Sequence, residues 1–343
     1  MKKNTFSIVI PTWNRRELLL RCVKSIFNYI SVDRDFEVIV CDSFSKDGTQ
    51  EEIDKFKNKI KTEKLSILQL QDNSVCQKRN EGIKKSKNDV IVLLDDDCEL
   101  ISDILEEYDN YIIDSKKYSI FCGQYLTDKS LLKKSNYYKY RDFKNYSFDS
   151  SNKKISAEEN KLKFFNIVTG NLAFKKNLIF EKDILFDKRI LGWGFEDAEW
   201  AYRLTQSGFS IYKTNVGVLH NETSGNILNY KKKWYYASKE AYPQIKAYNN
   251  EAAKKLPIDF FENEKFLLFN QIVASILKLM VNLSIVRLID YYLVKTDHLS
   301  FFYFPFLYRI SIYSSYLEGI RDREKKLISN EDVKKGWYGR GYK

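Results

Sequence analysis

The sequence predicts a doubly wound α/β domain with a mostly parallel sheet, followed by a helical C-terminal region. Short, nearly uninterrupted Ile/Val/Leu runs recur through the first hundred residues; strands of that kind are buried on both faces, as in a parallel sheet covered by helices. Helical patterns lie between these runs, which gives the βαβ alternation of such a sheet. Polar clusters follow three of the runs, at the carboxyl ends of strands where open α/β sheets collect their ligands.

In chain order, "FSIVIP" opens the domain and a helix is expected near 15–29; "FEVIVCD" is followed by one near 48–60, and "LSILQL" by one near 75–86. "DVIVLLDDD" is the fourth strand. A helix near 102–116 then precedes the strand "SIFCGQYL". Residues 129–163 are polar, rich in Tyr and Lys and without clear periodicity, so a mobile loop that can include a helix is expected. Order returns at "FFNIVTGNLAFKK", runs through "GWGFEDAEWAYRLTQSGFSIY" and reaches "VGVLHNE", after which the patterns are helical. The implied division is a domain over 1–227, in halves 1–100 and 101–227, and a helical region over 228–343.

At 343 residues the chain can bury a sizeable core. Its formal charge of +11 is uneven: from Tyr230 onward there are 20 Lys/Arg against 12 Asp/Glu, an excess of +8. A basic surface suits nucleic acid, an anionic membrane or an anionic substrate, and charge alone does not choose. The five cysteines form no CxxC pair and are odd in number, which favours reduced thiols in a cytoplasmic setting. The first apolar run is too short for a signal peptide or a span, so the chain is expected to begin in its fold. Residues 266–294 are the most apolar stretch, but Asn270, Gln271, Lys278, Asn282 and Arg287 interrupt it, as in an amphipathic or buried helix.

The turn after the first strand is "PTWNRR", with neither a Walker A loop nor GxGxxG, so a glycine cradle for phosphates is excluded. The chemistry concentrates instead in Asp95, Asp96 and Asp97, which end the fourth strand. Three carboxylates at the end of a buried strand call for positive charge or solvation: a lysine cluster, a metal ion, or open water. Such a run suits Mg²⁺ or Mn²⁺, with a solvated helix-capping turn as the plain alternative. If the chain is extended there, Asp95 and Asp97 share a face and Asp96 points away. In "LGWGFEDAEW", Glu196 and Asp197 open a helix, where the macrodipole stabilises acids; Gly192 and Gly194 flank Trp193 in a loop expected to be flexible, its exposed ring suited to stacking on a sugar. His220, one of two histidines, ends a later strand, where a structural role and a metal-ligand role are both open.

Taken together these motifs resemble the family 2 glycosyltransferases of the GT-A fold. "FSIVIPTWNR" is similar to their first strand, "VIVCDSFSKDGT" to their second, "CQKRNEGI" to their ARNxG helix and "LLDDD" to their DXD motif; "TGNLAFKK" and "GWGFEDAEWAYRL" resemble the WGxED acceptor motif of β-1,4-galactosyltransferases and chondroitin-polymerase-type enzymes. The resemblance spans roughly residues 5–222. It implies a nucleotide-sugar site of Pro11, Thr12, Asn14, Arg15, Asp42, Arg79, Asp95, Asp96, Gly170 and Asn171, and a divalent metal, Mn²⁺ or Mg²⁺, on Asp97, Asp95 and His220. It also implies acceptor contacts from Trp193, Gly194 and Glu196, with Asp197 as the general base. Phe195 stands where a glycine is common in the motif, and the methionine that usually accompanies the metal histidine is absent.

The expected activity is inverting transfer of a sugar from a UDP-linked donor to a saccharide or lipid-linked glycan. A sugar-nucleotide pyrophosphorylase is one alternative, but it would carry a GGxGTR-like loop where "PTWNRR" stands. A basic nucleic-acid-binding protein is another, although no RNA or DNA module is present and no nucleic-acid partner is expected. The basic, aromatic C-terminal region suits peripheral membrane association at the inner face of a membrane, packing on the catalytic domain, or a homo-oligomer contact.

Overall fold

The computed structural model describes residues 4–113, 115–146, 160–221, 224–261, 284–323 and 328–329, with positions 272, 275, 276 and 279. The first half alternates as its apolar runs require: β1 (Phe6–Thr12), α1 (Arg16–Tyr29), β2 (Phe36–Asp42), α2 (Thr49–Ile60), β3 (Leu65–Gln69), α3 (Val75–Lys85) and β4 (Val90–Leu94). There follow β5 (Cys98–Leu100), α4 (Ile104–Ile113), β6 (Ser119–Leu126), α5 (Lys129–Lys134), α6 (Asn136–Tyr146), β7 (Asn171–Lys175), α7 (Lys176–Glu181), α8 (Glu196–Gln206) and β8 (Ser210–His220).

The strands form one eight-stranded sheet in the order β3-β2-β1-β4-β7-β6-β8-β5. β1 pairs in parallel with β2 and β4, β2 with β3, and β6 with β8. β7 is inserted antiparallel between β4 and β6, and β5 runs antiparallel to β8. The fold is an α/β arrangement with a mostly parallel sheet. Ile8, Ile10, Val38, Val40, Val92 and Leu94 are fully buried, and α1 covers them with Leu19, Cys22, Val23 and Ile26. Each such side chain contributes about 1.5–3 kcal/mol by leaving water. All five cysteines are buried and free; burial pushes the Cys41 thiol up to about 12, so it packs as a small hydrophobe.

Helix α3 begins where Ser74 accepts the Gln77 backbone N–H, a standard N-cap. It then lies so close to the sheet that a Cβ on Gly82 would stand 2.2 Å from Val9 Cγ1 and 2.8 Å from Cys41 Sγ. That contact fixes the depth at which the neighbouring Lys78 and Arg79 enter the site.

The chain packs as two compact units, one of Met1–Leu126, Ser150–Lys188 and Trp200–Asn221, the other of Thr127–Asp149, Arg189–Glu199 and Glu222–Lys343. The division does not follow the linear boundary at 227, because the chain leaves the first unit and re-enters it twice. The second unit contains α5 and α6, where a loop is expected from the sequence; residues 147–159 of that stretch lie outside the described residues. Long-range bonds set these helices: Tyr137 N–H donates to Asp297 Oδ1, Asn136 Nδ2 donates to the carbonyls of Thr296 and Leu299, and Tyr140 stacks on Tyr308 with ring centroids 4.8 Å apart.

In the same unit α9 (Ile227–Tyr236) passes through a π-helical turn, Ala237–Ala241, into α10 (Tyr242–Tyr248). Pro243 accounts for the turn: without an N–H, and with a ring that clashes with the carbonyl four residues back, it cannot continue a regular helix unaltered. After α11 (Asn250–Ala253) come α12 (Ile285–Lys295) and α13 (Pro305–Arg321). α13 crosses the π turn at Gly319, where a Cβ would meet Ser238 Oγ at 1.9 Å. The helix expected within 266–294 is present over α12, and most of 266–283 lies outside the described residues. Among the described residues, no helix is long and apolar enough to cross a membrane.

Replacing Gly82 by alanine should destabilise the protein by about 1–3 kcal/mol, the usual cost of overpacking, read as a lower urea midpoint. An unchanged midpoint would mean that α3 and β1 part without strain.

Candidate functional site

Parallel pairing puts Thr12 beside Asp42 at the carboxyl ends of β1 and β2, and the aspartate run follows β4 on the other side of β1. After Leu94 the backbone turns instead of staying extended, so the alternating arrangement of the three carboxylates does not hold. Asp96 and Asp97 act together, and Asp95 is held separately.

Arg15 supplies the positive charge that the run requires. Its Nη1 donates to Asp96 Oδ1 at 2.6 Å and its Nη2 to Asp97 Oδ2 at 2.7 Å. Thr12 Oγ1 donates to the other Asp96 oxygen at 2.7 Å. Burial pushes Asp96 up to about 7 against the pull of Arg15, with the Asp97 charge adding to the rise. Burial would also raise Asp97, but the charges of His220 and Arg15 outweigh it and hold this carboxyl below the usual range.

His220 reaches Asp97 through the sheet. β5 pairs Cys98 with His220, and Asn221 N–H donates to the Asp97 carbonyl at 2.8 Å. The imidazole lies against Tyr125, with ring centroids 4.3 Å apart and planes 11° from parallel. Its Nε2 stands 3.5 Å from Asp97 Oδ1, beyond a well-formed hydrogen bond. Asp97 Oδ1 is thus a buried carboxylate oxygen with no hydrogen-bond partner among the described residues, and buried polar atoms in that condition need an explanation.

Asp95 accepts from Arg79 Nη2 at 3.1 Å and from Tyr125 Oη at 3.0 Å. The backbone of Gly170 closes over this group: its carbonyl accepts the Asp95 N–H, and a Cβ there would stand 1.8 Å from Tyr125 Oη and 2.2 Å from Asp95 Oδ2. Only glycine leaves that room. Asn171, expected to line the pocket, is instead fully buried: it accepts from Tyr108 Oη at 2.7 Å and donates to the carbonyls of Val216 and Gln124. It is a structural tie between strands, because its amide satisfies backbone groups that the irregular β6–β8 pairing leaves open.

At the first two strand ends, Asp42 accepts from the Ser45 backbone and hydroxyl, while Asn14 exchanges bonds with Ser45 Oγ and the Lys46 N–H. Pro11 lies in β1 just before its last residue, paired with Cys41. Lys78 and Tyr125 were not apparent from the sequence. Lys78 is buried and donates to the Thr12 carbonyl and Asn73 Oδ1; burial pulls its ammonium down to about 8 against the charges of Asp96 and Asp42. For Lys78 the available signal was its place in "CQKRNEGI". Nothing local marked Tyr125.

The second unit holds the glycine-tryptophan loop. Gly192 and Gly194 have φ of +88° and +111°, angles at which glycine carries little strain. Gly194 N–H donates to Glu196 Oε2 at 2.9 Å, and a Cβ on Gly194 would meet that of Ala237 at 2.5 Å. Trp193 is not the exposed ring expected: it is half-buried and packs edge-on against Trp234 at 5.4 Å. Phe195 joins the same cluster, 5.8 Å from Trp234 and 6.3 Å from Tyr316. The loop is therefore braced by the helical region, which no local pattern could announce. Glu196, Asp197 and Glu199 occupy the first turn of α8, where the helix dipole favours them.

The family model described as "Glycosyl transferase family 2" matches residues 7–179, half of the chain. The chain belongs to glycosyl transferase family 2. This membership marks the matched region as a glycosyltransferase domain. It is 30% identical over 180 residues to the poly(ribitol-phosphate) β-N-acetylglucosaminyltransferase TarP of Staphylococcus aureus (strain N315), covering 48% of this chain and 53% of TarP. It is also 30% identical over 247 residues to a hyaluronan synthase of Pasteurella multocida, covering 64% of this chain and 25% of the synthase. The chain thus spans about half of the first relative and a quarter of the second. In fold it is similar to the mannosyltransferase PcManGT of Pyrobaculum calidifontis, solved in complex with GDP-Man and Mn²⁺, with a TM-score of 0.59, 14% identity and coverage of 94% and 89% of the two chains.

Arg15→Met removes the shared partner of two buried carboxylates. It should cost about 3 kcal/mol, the usual penalty for breaking a buried ion pair, measured by chemical denaturation at neutral pH. Wild-type stability in this variant would show that Asp96 and Asp97 tolerate each other without Arg15.

Proposed function

We propose that this family 2 glycosyltransferase is a metal-dependent, inverting enzyme that moves a hexose or N-acetylhexosamine from a UDP-linked donor to a saccharide or lipid-linked glycan. The observation that carries the reading is the buried, unsatisfied Asp97 Oδ1 facing His220 Nε2 at 3.5 Å. Among the described residues no group of three or more His, Cys, Asp or Glu converges as a ready-made cage. An Mg²⁺- or Mn²⁺-type ion takes few protein ligands and completes its shell with phosphate oxygens and water. Asp97 and His220 are the proposed donors, and Asp95 joins them only by loosening its bonds to Arg79 and Tyr125. When bound, the ion neutralises the charge that develops on the leaving diphosphate.

The chain's own groups do the rest. Thr12 and Asp42 hold the base or ribose, supported by Pro11 and Asn14, and Arg79 and Asp95 fix the ribose side of the donor. Arg15, bonded to Asp97 at Oδ2, leaves Oδ1 for the ion. Asp197 takes the proton of the attacking hydroxyl, a weak nucleophile at neutral pH, while Glu196 holds the Trp193–Gly194 loop in the form that meets the acceptor. A single base opposite the leaving group gives in-line displacement and inversion at the anomeric carbon. The WGxED-like role of residues 193–197 rests on the resemblance of their sequence.

Turnover of a panel of sugar nucleotides with Mn²⁺, with Mg²⁺ and with EDTA tests this. One donor should be consumed only with metal; Asp97→Ala should abolish the reaction, and Asp197→Asn should lower the rate at least 100-fold while calorimetry still finds donor binding. Metal-independent turnover, or an active Asp97→Ala, would overturn the reading.

A specific observation also favours peripheral association of the second unit with the inner face of a membrane. The outer side of α12 exposes Ile285, Leu288, Tyr291 and Val294, and the next segment exposes Phe302, Phe304, Phe306 and, at 87%, Phe301. Arg287, Lys295 and Arg309 stand among them. Exposed apolar and aromatic groups rimmed by cations suit an anionic lipid surface. Sedimentation with phosphatidylglycerol vesicles should carry the protein down, and Leu288→Glu with Phe301→Glu should leave it in solution. A dimer in light scattering with no vesicle binding would assign the face to a second copy.

A further inference from the structure

The loop that leads into α8 follows a backbone course that the chain would not hold by itself. Gly192, Gly194 and Phe195 have φ of +88°, +111° and +67°, and the last is a bulky residue in a left-handed conformation that suits glycine or asparagine. Glu196 fastens the far end of the loop through the Gly194 N–H. The near end is fastened by Gln244, which lies outside the region that the family model matches. Gln244 Oε1 accepts the Leu191 N–H at 2.8 Å, and its Nε2 donates to the Leu191 carbonyl at 2.8 Å and to the Glu240 carbonyl at 2.9 Å. The residue is 1% exposed. One amide thus serves both backbone groups of Leu191, as a neighbouring strand would. Glutamine suits the place because it carries donor and acceptor on one terminal group, whereas an ionised glutamate only accepts and a lysine only donates. Gln244 stands three residues beyond the π turn Ala237–Ala241, a wider turn that resets which face the following helix presents. The same π turn sets Ala237 against Gly194. Both ends of the loop are therefore held from one stretch of helix, and the course of residues 191–195 fixes where Glu196 and Asp197 begin α8.

We infer that Gln244 is a positioning residue for the transfer step, acting on Asp197 through the backbone of Leu191 and the loop that follows. Buried as it is, Gln244 touches no substrate. A displacement of about 1 Å in a reacting group, caused by a change far from the chemistry, can cost roughly 100-fold in rate. A loop released at Leu191 should therefore slow the reaction and leave donor affinity, proposed for the strand ends of the other unit, as it is. This inference rests on the reading of Asp197 as the general base.

The test compares wild type, Gln244→Met, Gln244→Glu, Asp197→Asn and the double variant Gln244→Met with Asp197→Asn, each as the full chain with Mn²⁺. UDP release is followed from whichever of UDP-glucose, UDP-galactose, UDP-N-acetylglucosamine and UDP-N-acetylgalactosamine wild type consumes fastest, and calorimetry gives the affinity for the same donor. Gln244→Met should lower the rate at saturating donor roughly 10- to 100-fold with donor affinity unchanged, and Gln244→Glu, which loses both donated bonds, should show the same split. Adding Gln244→Met to Asp197→Asn should slow the reaction no more than about twofold further, because residues that act as one unit are not additive. Wild-type rates in both Gln244 variants, donor affinity falling in step with rate, or full multiplication of the two losses would each overturn the inference and leave Asp197 as the base. A fully active Asp197→Asn, or a wild type that consumes none of the four donors, would remove the reading of the site and the inference with it.

Discussion

The site depends on one constraint: two carboxylates buried side by side at the end of β4 must be neutralised from outside their own strand. Arg15 does this with one guanidinium, donating to Asp96 and Asp97 from the turn after β1. The planar fork of arginine suits the task, since it serves two acceptors in fixed directions where a lysine would be a point charge. Much of the neighbouring geometry follows. Thr12 must turn its hydroxyl to Asp96, and Lys78 can lie buried nearby because Asp96 and Asp42 favour its charge. Arg15 satisfies Asp97 at one oxygen only. The other is left toward His220, and that incomplete satisfaction makes the pair a place for chemistry as well as a structural tie.

Around this pair the sheet acts as a positioning device. The short β5 is antiparallel to β8 and so returns His220 to the residue beside Asp97. β6 lies parallel to β8 and ends near the same point, which lets Tyr125 stack on the imidazole and donate to Asp95. Gly170, just before the inserted β7, admits both side chains because it has none of its own.

The second unit follows a different logic. Its centre is a set of rings, with Trp193, Phe195 and Tyr316 around Trp234, and aromatic pairs of this kind contribute about 0.5–1.5 kcal/mol each beyond their buried area. The π turn before Pro243 and the glycine crossing at Gly319 bring backbones close enough for that cluster to form. The basic C-terminal helices, which carry no recognisable motif, are therefore the support of the Gly-Trp-Gly loop within this unit.

The sequence by itself determined the strands β1 to β4, the helices between them and the clusters at the strand ends. These depend on hydrophobic period and on residues close in the chain, which a local pattern records. It also carried the family, through motifs in a fixed order. Only the tertiary structure decided which positive charge meets the aspartates, since Arg15 lies more than eighty residues from them. It likewise decided that Asn171 is a tie and not a lining residue, that Trp193 is packed, that Tyr125 joins the site, and that a polar stretch without periodicity folds as α5 and α6. In each case the deciding partner is distant in sequence, and the energy of a buried ion pair, a stacked ring or a capped amide comes from that partner and not from the residue's own neighbours.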